Sequence, residues 1–195
     1  MPTHLSFPAI IRKDEKVFIY PENGESGELN LYQYHPETNT CEKQETILPE
    51  AVADAVIITI NGQKYLFCTK QPKPNGNTLH IYRKDDHGAY VAYDEYVFEE
   101  NIARMAGDFF ECQGRLYRPT QECNIQYGHA VTLQEVTQEN GKFHFQEVRR
   151  MYSMHPRLTV GMHTFNMHKD IIVTDALGFH NMWIRTALKR MGLLR

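Results

Sequence analysis

Cysteine is scarce in this chain of 195 residues. The four cysteines, Cys41, Cys68, Cys112 and Cys123, form no C-x-x-C pair and join no histidine at a zinc-ligand spacing. That spacing speaks against a zinc module and favours free thiols in a reducing compartment over disulfides. Cys41 lies in a polar, loop-like stretch, whereas Cys68 and Cys112 fall in apolar runs, where burial is expected. A basic excess is also missing: 21 Lys and Arg stand against 24 Asp and Glu, a formal net charge of −3. Binders of nucleic acid or anionic membranes carry the opposite imbalance, so neither partner is expected. No apolar run is long enough for an integral membrane segment, and the longest, from Ala51 to Ile60, is broken by Asp54. The opening Met-Pro-Thr-His-Leu-Ser has no basic region followed by an apolar one, the mark of a secretory signal, so a soluble, cytoplasmic protein is expected. The ten histidines show no H-E-x-x-H and no cluster, and nothing points to a metal or a cofactor.

What is present is a recurrence of short strands. Ala9 to Tyr20 reads as strand, polar turn, strand, and Val56 to Phe67 repeats the plan around Asn61-Gly62, a strong two-residue hairpin signal. Asp108 to Tyr117 does so around Gln113-Gly114, and His163 to Val173 forms a weaker fourth copy. A third strand follows in the first three copies (Glu28 to Tyr32, Thr78 to Tyr82, Ala130 to Val136). A fourth comes after it (Gln44 to Leu48, Tyr90 to Tyr93, Phe143 to Val148). Four-stranded units recurring at roughly fifty-residue intervals are the pattern of β-propeller blades. A β-sandwich of unrelated hairpins is the competing architecture. The recurring strand order within each unit favours the propeller, an all-β fold occupying 1–178.

The tail, 179–195, changes period. Trp183, Ile184, Ala187, Leu188 and Met191 recur at helical spacing, with Asn181 as a cap and Gly192 as a stop. The spacing predicts a short C-terminal amphipathic helix packed on or beside the propeller. Arg185, Lys189 and Arg190 lie off the stripe, so a membrane surface or a partner protein is the alternative contact.

In a propeller, polar side chains at the entry to each innermost strand reach the central channel. His4 and Ser6 hold that place in the first unit, Asp54 in the second, Arg104 and Asp108 in the third, and His163 in the fourth. Asp54 interrupts an apolar run and must face water, a donor or a cation. Its alternative role is tying one blade to the next. Arg104, Arg118, Gln121, Glu122, Tyr127 and His129 crowd the third unit with donors, acceptors and an aromatic face. Sugars are recognised by that mixture, because hydroxyls both donate and accept while the ring's C–H face packs on aromatics. An arginine there would equally suit a phosphate or carboxylate, and an Arg118–Glu122 pair closing the blade is a purely structural option. Hydrolysis of a glycosidic bond would need two carboxylates flanking it. Asp54 is one candidate, and Glu122, Glu22 and Asp108 compete for the other.

His4-Leu-Ser-Phe-Pro, Tyr20-Pro-Glu, Ala53-Asp54, Ala103-Arg-Met-Ala-Gly, Leu116-Tyr-Arg-Pro-Thr-Gln-Glu-Cys, Tyr127-Gly128 and His163-Thr164 together resemble the N-terminal domain of the glucosamine inositolphosphorylceramide transferase family. The resemblance covers roughly residues 4 to 175. It implies a five-bladed type of propeller akin to arabinanase and invertase glycosidases, with about four blade units present. The family usually has a further blade before the His-Leu-Ser motif, and in the related glycosidases that blade supplies a catalytic acid. A homo-oligomer or an upstream domain could complete the propeller. The resulting expectation is a carbohydrate-recognising propeller accessory to glycan synthesis or modification. A glycosidase-like hydrolase using Asp54 with Glu122 or Glu22, and a non-catalytic interaction scaffold, are the alternatives.

Overall fold

The computed structural model describes residues 3–179 and 182–192. Four strands, β1 (Ser6–Lys13), β2 (Lys16–Glu22), β3 (Leu29–His35) and β4 (Thr40–Leu48), form the first antiparallel sheet in that order. The second sheet repeats the order with β5 (Val52–Ile60), β6 (Gln63–Lys70), β7 (Thr78–Lys84) and β8 (Tyr90–Val97). The third comprises β9 (Phe110–Cys112), β10 (Arg115–Glu122), β11 (Ala130–Glu139) and β12 (Lys142–Met151). A hairpin of β13 (Phe165–His168) and β14 (Ile171–Thr174) follows, and then the helix α1 (Met182–Arg190).

The hairpins close where the turn chemistry places them. Asp14-Glu15, Asn61-Gly62, Gln113-Gly114 and Asn140-Gly141 each have both central residues at positive φ, the mirror-image turn that matches strand twist. Asn61 and Gly62, at φ 51° and 77°, join Ile60 directly to its partner Gln63.

The sheets stack in series through their faces. Tyr20, Leu29 and Leu48 of the first sheet pack on Val52, Ala55, Leu66, Cys68 and Tyr82 of the second. The second sheet's opposite face, with Val56, Tyr65, Phe67 and Ile81, packs on Met105, Val136 and Phe143 of the third unit. Ala106 and Val131 then meet Met162, just before the last hairpin, and Phe165 within it. Side chains alternate across a strand, so β6 sends Leu66 and Cys68 one way and Tyr65 and Phe67 the other. All four are buried, which is why β6 reads as an unbroken apolar run. Each such side chain contributes about 1.5–3 kcal/mol on leaving water. At the free end of the series the first sheet leaves Ile10 55% exposed, beside a shallow apolar hollow lined by Leu5, Pro8, Ile19, Pro21 and Tyr32.

The third sheet's inner strand is divided. Before β9, the segment 101–106 runs along β10: Gln121 N–H donates to the Arg104 carbonyl at 2.8 Å and Ala106 N–H to the Pro119 carbonyl at 3.0 Å. Gly107 then turns against the last hairpin, where an added Cβ would sit 2.0 Å from the Phe165 carbonyl oxygen. Only glycine fits there, and the fit fixes how the hairpin docks.

Several sequence expectations need correction. Cys41 lies on β4 and is exposed, and Cys112 is exposed rather than buried; all four thiols are free. Arg118 makes no pair with Glu122, which bonds His129 instead. The stripe is not uniformly covered: Trp183 in α1 is 84% exposed, and Ile184 and, just past the helix, Met191 are more than half exposed. The cap expected at Asn181 lies outside the described residues. Among the described residues, no helix is long and apolar enough to cross a membrane.

Candidate functional site

The four hairpins bring their inner strands to one cavity of about 580 Å³, within the usual range for a small-molecule site. Ser6 to Ile10 and Tyr20 line it from the first sheet, Asp54 and Val56 from the second, and Arg104, Asp108, Gln121 and Tyr127 from the third unit. His163, Thr164 and Asn166 complete it.

Asp54 reaches the cavity through a β-bulge between Ala53 and Val56, at φ +46°. Phe7 occupies the corresponding bulge of the first sheet at the same φ. Aspartate tolerates that left-handed conformation better than phenylalanine does, yet both are held there by the strands on either side. The second strands β2 and β10 contribute from their ends: Glu22 and Gln121 each stand seven residues past their hairpin tips.

Arg104 organises the floor. Its Nε donates to Asp54 Oδ2 at 2.5 Å, one terminal nitrogen to Asn75 Oδ1 at 2.6 Å, and the other to Glu22 Oε2 at 3.2 Å. Gln121 Nε2 donates to the same Asp54 oxygen and to the Met105 carbonyl, both at 2.7 Å. Gln121 Oε1 is buried with no partner. Asp54 N–H donates to Glu22 Oε2 at 3.3 Å. Burial and the neighbouring Asp54 push the Glu22 carboxyl up to about 7, against the opposing pull of Arg104. The guanidinium lies 5.0 Å from the Tyr127 ring centre, and Tyr127 is 44% exposed, so one aromatic face remains available. His163 sits 5.3 Å from that ring, and its Nδ1 lies 3.0 Å from Asp175 Oδ2. Asp175 Oδ1 also accepts the backbone N–H groups of His163 and Thr164, at 2.9 and 2.7 Å.

Of the residues singled out in the sequence, Ser6, Asp54, Arg104, Asp108, Gln121, Tyr127 and His163 line one cavity, and Glu22 joins through Arg104 and Asp54. The others go elsewhere. Glu122 accepts from His129 Nδ1 at 2.5 Å and from the Asn124 N–H at 2.6 Å, bracing the loop after β10. Arg118 is wholly buried, donating to the Ala103 carbonyl, to Gln134 Oε1 at 2.7 Å and to Met105 Sδ at 3.0 Å. His4 is exposed, and its backbone N–H donates to Glu25 at 3.0 Å. Asn75, Thr164 and Asp175 were missed. The shared seven-residue offset from the hairpin tips could have grouped Glu22 with Gln121; nothing in the sequence singles out Asn75. Among the described residues, no group of three or more His, Cys, Asp or Glu side chains is arranged to hold a metal ion.

Sheets stacked in series around an axial cavity define a β-propeller. Solved structures share the architecture. An exo-beta-1,3-galactanase from Phanerochaete chrysosporium superposes with a TM-score of 0.62 over 90% of this chain and 44% of that one, at 9% identity. A bifunctional GH43-CE protein from Bacteroides eggerthii gives 0.54 over 85% of this chain and 24% of that one, at 16% identity. The family described as glucosamine inositolphosphorylceramide transferase 1, N-terminal, matches residues 2–174, and the chain belongs to it. The transferase 1 of Arabidopsis thaliana is 26% identical over 159 residues, covering 77% of this chain and 21% of that protein. That of Oryza sativa subsp. indica is 27% identical over 143 residues, covering 68% and 19%. The chain therefore spans about a fifth of the length of these relatives.

Proposed function

We propose that this propeller recognises a carbohydrate in its axial cavity and serves glycan synthesis or modification without cleaving the sugar itself. One observation carries the reading: a single cavity, fed by every sheet, joins a half-exposed aromatic ring to a braced set of donors and acceptors. Tyr127 offers its face to a sugar ring, while Asp54, Gln121, Asp108, Thr164 and Asn166 offer polar atoms for hydroxyls. Membership in a family named for a glycosyl transferase supports the setting.

The hydrolase alternative fits less well. Asp54 and Glu22 share one guanidinium, which groups them together instead of setting them on opposite sides of a scissile bond. Glu122 is committed to His129 and lies outside the cavity lining.

Glycan-array screening followed by calorimetry on the hits tests the reading. Tyr127→Ala is expected to weaken binding about tenfold, the loss of one sugar–aromatic stack, with an unchanged melting temperature. Absence of binding to any saccharide in the array would overturn it.

A further inference from the structure

We infer that α1 docks the protein on an anionic phospholipid surface, lying in the interface plane with its apolar side toward the lipid. The inference is independent of the cavity and goes beyond the carbohydrate reading. It starts from how charge is distributed along the chain. The last twenty residues, 176–195, hold four Lys or Arg and no Asp or Glu. The formal net charge of −3 therefore divides into +4 there and −7 over the rest, where 17 Lys and Arg face 24 Asp and Glu. A deficit of cations over the whole chain hides a local surplus of the kind that an anionic bilayer attracts.

The helix sorts its residues in the same sense. At about 100° per residue, Trp183, Ile184, Ala187, Leu188 and Met191 share one arc of about 140°, and positions 185, 186, 189 and 190, three of them cationic, fill the other side. Along the apolar arc Trp183 is 84%, Ile184 52% and Met191 61% exposed, Ala187 is exposed and Leu188 half-buried. Tryptophan and aliphatic residues opposite Lys and Arg are the composition of helices that lie at the headgroup level, where an indole ring is favoured. The shallow hollow beside Ile10 could receive one such side chain from a second copy. A bilayer interface takes the whole arc and meets the cations as well, so it is the occupant that the chemistry favours.

Trp183 is the chain's single tryptophan, so its fluorescence reports on this helix alone. Vesicles of phosphatidylcholine, with and without about 30% phosphatidylserine, are titrated into the full chain at about 0.1 M salt. The emission is expected to shift to shorter wavelength, with partitioning at least about tenfold stronger into the anionic vesicles. At about 1 M salt that preference should fall to within about threefold. Lys189→Glu with Arg190→Glu should abolish the preference and leave the urea midpoint of the propeller unchanged. Ile184→Asp should weaken binding to both compositions. No shift with anionic vesicles, or equal partitioning into the two compositions, would overturn the inference. A shift that grows with protein concentration in the absence of vesicles would assign the apolar arc to a second copy and overturn it too.

Discussion

Arg118 holds a full positive charge in the core with no carboxylate beside it. The guanidinium lies against the rings of Phe98 and Phe145, 5.5 and 5.4 Å from their centres. Its planar fork bonds the Ala103 carbonyl, Gln134 and Met105 at once. Burial pulls its pKa down, yet the same contacts join the segment bearing Arg104 to β10. Arg118→Ala strands buried acceptors and leaves a cavity. It should lower stability by about 3 kcal/mol in urea unfolding, and Arg118→Lys should recover less than half of that. Glu22 makes the opposite kind of prediction. Its folded carboxyl keeps a proton up to about 7 against an ordinary 4.5, so the native state binds more protons than the unfolded chain between those values. Stability is therefore fully present below about 4.5 and falls as pH rises through about 7. The urea midpoint should drop between pH 5 and pH 8, and Glu22→Gln should flatten that dependence.

Among the elements, the hairpins were the most legible. Asn61-Gly62 and Gln113-Gly114 announce their turns chemically, and alternation fixes the strands on either side. The inner strand of the third unit was harder, because its pairing is split by Gly107 and its first half is held by three backbone bonds and one isolated bridge. Periodicity over so short a stretch cannot show such a break. Gly107→Ala forces a Cβ into the Phe165 carbonyl and should cost about 2 kcal/mol or more. Chemical shifts of the last hairpin should change more than those of the first sheet. The candidate site was legible where its residues disturb a pattern. Asp54 breaks an apolar run, and Arg104, Gln121 and Tyr127 crowd a short motif. Arg118 and Glu122 belong to the same motif yet face away from the cavity, because alternation along β10 sends neighbours to opposite sides and composition alone carries no facing. Asn75 came from a loop whose approach to Arg104 is set by tertiary packing.

At the level of the whole molecule, the sheets are unequally covered. The second has neighbours on both faces, the first shows Ile10 to solvent, and every residue of β14 is exposed. In a stack that contacts only nearest neighbours, stability is a sum of local terms, so the ends open before the middle. Deuterium uptake should accordingly run as a gradient, slowest at the amides of β6 and β7 and fastest in β14. The consequence reaches the cavity. His163 and Asp175 flank the strands expected to exchange fastest, whereas Asp54 is anchored in the slowest layer. One wall would thus breathe around a fixed floor, and a sugar clasping both would show itself as slowed labelling of the final hairpin alone.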